Sequence, residues 1–218
     1  MISCRRLFTG LALALLRWAA ALLLPAALPT GAAQAYTLIA ADKADIARIE
    51  KYLNGITTMR AKFVQSEQDG HAMEGVLSLQ RPGKLRFSFV PKGPYEIIAD
   101  GTQLNYIGGG ALTQVSMGAT PLSVLVAKEI HLDDTLEVVD VQRAPKFIAL
   151  TLVQKKNPNG EKLTIEFADN PLQLKKWAIT YKNGHVVTIG LFDVETGVKF
   201  PPDTFKYTGP GSTQQQTY

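Results

Sequence analysis

Lys84-Leu85-Arg86-Phe87-Ser88-Phe89 decides the fold class. Large apolar residues alternate with polar ones at a strict period of two, which is the pattern of a half-buried β-strand. Before it, Ala61, Phe63 and Gln65 alternate with Lys62, Val64 and Ser66, and Val76-Leu77-Ser78-Leu79 follows. After it come Tyr95 to Ala99, closed by the hairpin signal Asp100-Gly101, then Gln103 to Ile107 and Leu112 to Met117 around a triple glycine at 108 to 110. Further strands are expected at Leu136 to Val141, Phe147 to Val153, Leu163 to Phe167, Leu174 to Tyr181 and Val186 to Phe192. The last two flank Asn183-Gly184, and Phe205 to Tyr207 is a candidate for one more. Lys155 to Gly160 and Asn170-Pro171 read as turns.

Two helices interrupt this pattern. Over Asp42 to Ile56, the residues Ile46, Ile49, Leu53 and Ile56 form one apolar stripe, with Asp42 as cap and Gly55 as stop. Thr120-Pro121-Leu122 opens a short apolar helix to about Ala127. Lys128 to Asp134 reads as a charged connection. The sum is mainly β with helices: about eleven short antiparallel strands in a curved or partly closed meander, its concave face covered by helices.

Charge excludes one function class. The chain has 218 residues with 23 Lys and Arg against 19 Asp and Glu. Arg5, Arg6 and Arg17 lie in the first 35 residues, which hold no acid, so the remainder carries 20 basic against 19 acidic groups. A near-neutral body has no bulk electrostatic reason to bind nucleic acid. Residues 1–35 combine the arginines, an apolar run from Leu11 to Leu28 and the small-x-small ending Ala33-Gln34-Ala35. This is the pattern of a cleaved signal peptide, with Tyr36 as the new N-terminus. A membrane anchor is the competing reading, disfavoured by Arg17, Pro25 and Pro29. Arg5-Arg6-Leu7-Phe8 leaves the export route open between the general and twin-arginine systems. The only cysteine, Cys4, lies within that segment, so no disulfide or thiolate site is expected afterwards. Residues 36–207 are read as one domain and 208–218, with Gln214-Gln215-Gln216, as a disordered tail.

Catalytic signatures are missing. No Gly-x-Ser-x-Gly, His-Glu-x-x-His or phosphate-loop motif occurs, so no enzyme activity and no cofactor are expected. Glu129-Ile130-His131-Leu132-Asp133-Asp134 offers metal-ligand types, but its spacing fits a solvated loop better than a site, and no metal is expected. What remains is an apolar interior from Phe63, Leu77, Leu79, Leu85, Phe87, Phe89, Ile97 and Leu104, joined by Leu122, Leu125 and Val126. Composition alone does not separate a filled core from a lipid cavity.

A resemblance separates them. Phe63-Val64-Gln65, Gly75-Val76-Leu77, the string Leu79-Gln80-Arg81-Pro82-Gly83-Lys84-Leu85-Arg86-Phe87, Ala99-Asp100-Gly101 with Tyr106, and Gln114 stand in this order. Thr120-Pro121-Leu122 with Leu125, Leu163-Thr164-Ile165-Glu166-Phe167 and Pro171-Leu172-Gln173-Leu174-Lys175-Lys176-Trp177 complete the series. From about Ala41 to Tyr207 the chain resembles the LolA family of periplasmic carriers of outer-membrane lipoproteins. The resemblance implies an unclosed β half-barrel under a helical lid carrying Ile46, Ile49 and Leu53. The hollow, lined by Phe63, Leu77, Leu79, Leu85, Phe87, Phe89, Ile97, Leu104, Leu122 and Leu125, takes acyl chains. The implied partners are lipoproteins, an inner-membrane ATP-driven lipoprotein-releasing complex and an outer-membrane acceptor, the carrier acting as a monomer. Arg81 stands where the family has the arginine that fastens the lid. Two departures are visible: Leu104-Asn105-Tyr106 replaces a larger aromatic after the Asp-Gly turn, and glycines occupy the following hairpin. A carrier or sensor of another envelope lipid on the same fold is the alternative.

Overall fold

The computed structural model describes residues 36–91, 95–109, 111–120 and 122–207. The expected signal peptide, Pro121 and the C-terminal tail lie outside the described residues. The first element is a helix, α1 (Ala40–Asn54). Ten-residue β1 (Thr58–Glu67) follows, then β2 (Ala72–Gln80), β3 (Lys84–Val90), β4 (Tyr95–Asp100), β5 (Gln103–Gly108) and β6 (Ala111–Ser116). After a crossing segment come β7 (Leu136–Ala144), β8 (Phe147–Gln154), β9 (Asn157–Ala168), β10 (Gln173–Thr180) and β11 (Val186–Thr196).

All eleven strands form one antiparallel sheet in the order β6-β5-β4-β3-β2-β1-β11-β10-β9-β8-β7. The chain starts in the middle, steps outward to β6, crosses to the far edge at β7 and steps back until β11 pairs with β1. Because β6 and β7 end the order unpaired with each other, the sheet is open. It is also strongly curved. Phe87 on β3 and Trp177 on β10 are four strands apart, about 19 Å in a flat sheet, yet their ring centroids are 6.4 Å apart. Register shifts at Arg60/Lys62, Leu174/Lys176 and Val138/Asp140 supply local bending, since an extra residue on one strand increases twist.

The period-two reading holds along β3, where Leu85, Phe87 and Phe89 are buried and alternate with less buried neighbours. Gly75 on β2 stands between Phe63 and Phe89 in the ladder. Its missing side chain lets the Phe63 ring reach across β2 to Phe87 and Phe89, at centroid distances of 5.1 and 5.2 Å. A second close approach joins two turns. Gly83, at φ 75°, lies so near Gly101 that a Cβ on Gly83 would stand 2.6 Å from the Gly101 Cα. The Arg-Pro-Gly turn and the Asp-Gly turn are therefore packed back to back, and both need glycine.

Several expectations are corrected. Asp42 sits inside α1, not before it, and caps from there: its Oδ2 accepts from the Ile39 N–H at 2.9 Å and the Tyr36 hydroxyl at 3.0 Å. The helix expected over 121–127 is a single helical turn, α2 (Ser123–Val126), preceded by a 3₁₀ turn at Met117–Ala119. The lid therefore consists of one true helix and a looped crossing segment. The turn expected over Lys155 to Gly160 is confined to Lys155-Lys156, because Asn157 already pairs with Gln154 and extends β9. Phe205 to Tyr207 is not a strand. The Thr204 carbonyl accepts from Arg86 Nη1 at 2.8 Å, and Phe205 packs against Phe200 with centroids 5.3 Å apart. Lys128 to Asp134 is more than a charged connection. Ile130 and Leu132 are fully buried, and Asn54 brackets Ile130 through both backbone groups, at 2.9 and 2.8 Å.

Candidate functional site

α1 and the crossing segment cover the concave face. Ile46, Ile49 and Leu53 are buried there with residues of both sheet halves in one apolar cluster. Polar ties fix α1 firmly. Glu50 accepts from the Leu132 N–H at 2.6 Å, the Tyr52 hydroxyl accepts from the Leu174 N–H at 3.0 Å, and Arg143 on β7 reaches Asp42 and Asp45 at 2.7 Å. Arg48 pairs with Asp45 and Asp169. Residues 117–127 are held mainly through backbone groups: Gly83 N–H to the Val126 carbonyl at 2.7 Å, Met117 N–H to the Thr102 carbonyl at 3.2 Å, two long contacts from Gln154 and Lys156 to the Gly118 carbonyl, and Arg81.

Arg81 joins the two parts of this cover. Its Nε donates to the Leu125 carbonyl at 3.0 Å, and its Nη1 donates to the Leu53 carbonyl at 2.6 Å, at the C-terminal end of α1. A cation suits that end of a helix, where carbonyls lack intrahelical partners. Among the described residues no carboxylate pairs with Arg81. Burial alone pushes its pKa down to about 10, so the guanidinium stays charged at neutral pH in surroundings that penalise the charge.

Two adjoining cavities lie beneath. The smaller, about 20 Å³, is lined by Arg81 with Leu79, Leu53 and Leu125. The larger, about 280 Å³, is lined by Phe87, Ile97 and Leu104 on one half of the sheet and by Ile179, Val187 and Ile189 on the other. Leu85, Leu122 and Trp177 border both. Phe63, Leu77 and Phe89 border neither; they are close-packed within the cluster. The contribution of β10 and β11 was missed in the sequence, although Trp177-x-Ile179-x-Tyr181 carries the same period of two. Trp177 is 2% exposed, and its indole N–H is buried without a hydrogen-bond partner among the described residues. Such an orphan costs roughly 1–3 kcal/mol, so the closed interior is not fully satisfied.

The polar residues of the larger cavity are grouped. Gln65 and Glu67 at the end of β1, Tyr95 at the start of β4, Tyr106 near the end of β5 and Tyr181 just after β10 lie at one end of the antiparallel sheet, and the rest of the lining is aliphatic and aromatic. Gln65 donates to the Tyr95 hydroxyl at 3.0 Å. The histidines do not converge: His71 pairs with Asp69, His131 lies 3.6 Å from Glu129, and His185 lies 3.5 Å from Glu67. Among the described residues no group of His, Cys, Asp and Glu is placed to hold a metal ion. None of their helices is long and apolar enough to cross a membrane. The residues that border both cavities, Leu85, Leu122 and Trp177, are all apolar.

Comparison with known proteins agrees with that chemistry. A family profile described as outer membrane lipoprotein carrier protein LolA matches residues 54–208. The chain is 24% identical over 176 residues to the outer-membrane lipoprotein carrier protein of Dechloromonas aromatica, covering 75% of this chain and 83% of that one. It is 25% identical over 184 residues to the corresponding protein of Alkalilimnicola ehrlichii, covering 78% and 81%. A crystal structure of a LolA superfamily protein from Nitrosomonas europaea aligns at a TM-score of 0.44 and 8% identity, over 74% of this chain and 97% of that one. With a profile match across most of its length, the chain belongs to the LolA family of outer membrane lipoprotein carrier proteins.

Proposed function

We propose that the protein is a periplasmic carrier that takes the acyl chains of lipoproteins into the cavity under its lid and shuttles them from the inner to the outer membrane. It loads from an inner-membrane ATP-driven releasing complex and unloads to an outer-membrane acceptor. The supporting observation is the largely apolar hollow between the two sheet halves, bordered by Leu122 and adjoined by the small cavity where Arg81 ties Leu53 to Leu125. At about 280 Å³ the larger cavity stands at the lower end of the ~300–1,000 Å³ of ordinary ligand pockets. In this reading cargo displaces part of the lid.

That requirement makes the exchange reversible. Burying a sixteen-carbon chain gains about 12 kcal/mol at 0.8 per methylene. Lifting residues 122–126 exposes Leu122, Val124, Leu125 and Val126, at roughly 1.5–3 kcal/mol each. The two amounts are comparable, so a carrier without its own energy source can both accept and release one chain. Native mass spectrometry of protein purified from its own cell envelope without detergent tests the reading. Lipoprotein or acylated lipoprotein fragments bound one to one are the expected result. A different lipid would move the function to another envelope pathway. Bare protein that also refuses a fluorescent acyl probe would remove lipid carriage altogether.

A further inference from the structure

The larger cavity has a polar end. Tyr181 borders both the larger cavity and a neighbouring groove of about 360 Å³, lined by Gln154, Asn157, Glu161, Lys182 and Asn183. The hydroxyls of Tyr106 and Tyr181 have no hydrogen-bond partner among the described residues, whereas that of Tyr95 is held by Gln65. We infer that this end is a second, polar subsite, which receives the head of an acylated peptide: the phenols of Tyr106 and Tyr181 donate to the ester and amide carbonyls at the root of the acyl chains, and the groove holds the first residues of the peptide. This rests on the carrier reading above and specifies how the cargo is oriented.

The chemistry matches on three counts. Carbonyl oxygens need donors, and burial, together with nearby tyrosines and Glu161, raises the pKa of Tyr106 to about 12, so its hydroxyl keeps its proton. Tyr181 is shifted the same way, by burial and then by Glu161 and Glu67. Beyond them, the Asn157 amide, the Gln154 Oε1 and the Asn183 Nδ2 offer donors and acceptors together, as a peptide backbone requires, while Gln154 Nε2 contacts the Gly118 carbonyl and Asn183 Oδ1 accepts from the His185 N–H. The chain ends point the other way: the cavity's inner wall is Leu85, Phe87, Leu122 and Trp177. An amphiphile therefore enters with its tails toward Trp177 and leaves its head at Tyr181.

The test compares two probes on the purified protein and on the double variant Tyr106→Phe/Tyr181→Phe, which keeps both rings and removes only the hydroxyls. One probe is a synthetic triacylated cysteinyl hexapeptide and the other is 1,6-diphenylhexatriene, an apolar fluorophore with no hydrogen-bond acceptor. Two lost hydrogen bonds should weaken the acylated peptide roughly tenfold, with diphenylhexatriene unchanged within about twofold. The diphenylhexatriene arm also reports that the variant is folded. Equal loss for both probes, or no loss for either, would overturn the subsite while leaving the carrier reading intact. Failure of the unmodified protein to bind the acylated peptide at all would instead overturn the carrier reading. Tyrosine-dependent binding of a glycolipid but not of the peptide would overturn the assignment of the groove to peptide.

Discussion

At the residue scale, Arg81 carries a tension between geometry and solvation. It grips two backbone carbonyls, yet among the described residues no carboxylate offsets its half-buried charge. In the proposed carrier the contact closes the lid without making it permanent, since water regains the guanidinium when residues 122–126 lift. Arg81→Leu removes both hydrogen bonds and adds an apolar side chain to the small cavity. Each lost charge-assisted bond is worth about 1.5–3 kcal/mol. The empty closed state is then disfavoured, and the loaded fraction recovered from the cell should rise about tenfold or more. In a strain depleted of the unaltered protein, lipoproteins should be retained or misrouted, as followed by membrane fractionation. Normal delivery there would end the latch assignment.

At the element scale, the inward wall depends on β2 having no side chain at position 75. A Cβ there would stand 2.2 Å from the Ser88 carbonyl oxygen and 2.9 Å from the Phe63 ring. Neither neighbour yields easily: one is backbone, and the other is wedged against Phe87 and Phe89. Overpacking of this kind costs about 1–3 kcal/mol. Gly75→Ala should thus lower Tm by roughly 2–10 °C for a domain of this size, read by thermal unfolding. An unchanged Tm would mean that β2 shifts freely, contrary to its pairing on both sides.

At the scale of the whole molecule, Arg143 on the edge strand β7 clasps α1 through Asp42 and Asp45. Asp42 is 1% exposed. Burial by itself would raise its pKa, but the Ile39 N–H, the Arg143 guanidinium and the Tyr36 hydroxyl outweigh burial and hold it below the usual carboxylate range. A carboxylate depressed on folding contributes stability above its unfolded pKa of about 3.9, and that contribution is lost as pH falls through the lower folded value. Arg143→Ala should therefore unfold at a lower temperature than the unaltered protein at pH 7. The gap should narrow below about pH 4 as the acid protonates. A gap independent of pH would assign the effect to packing of the arginine stem. With α1 clasped in this way, the proposed carrier admits cargo by moving residues 122–126.

Local pattern determined much of this protein. The period of two along Leu85-Phe87-Phe89, the hairpin signals Asp100-Gly101 and Asn183-Gly184, and the stripe Ile46-Ile49-Leu53 are properties of neighbours in the chain. Strand, turn and helix follow from them, as does the family through its ordered motifs. Where each face points, and what meets across the hollow, is decided only when distant strands come together. Phe87 and Trp177 touch because the sheet curves, and curvature sums small twists and bulges over many strands. That is why the β10–β11 wall, the tyrosines at the mouth and the pinning of Ile130 and Leu132 were not legible beforehand. The short helix expected after Thr120 shrank to one turn for the same reason. Four residues are too few to sustain a helix by propensity, and their conformation is set by Arg81, Gly83 and the sheet beneath them.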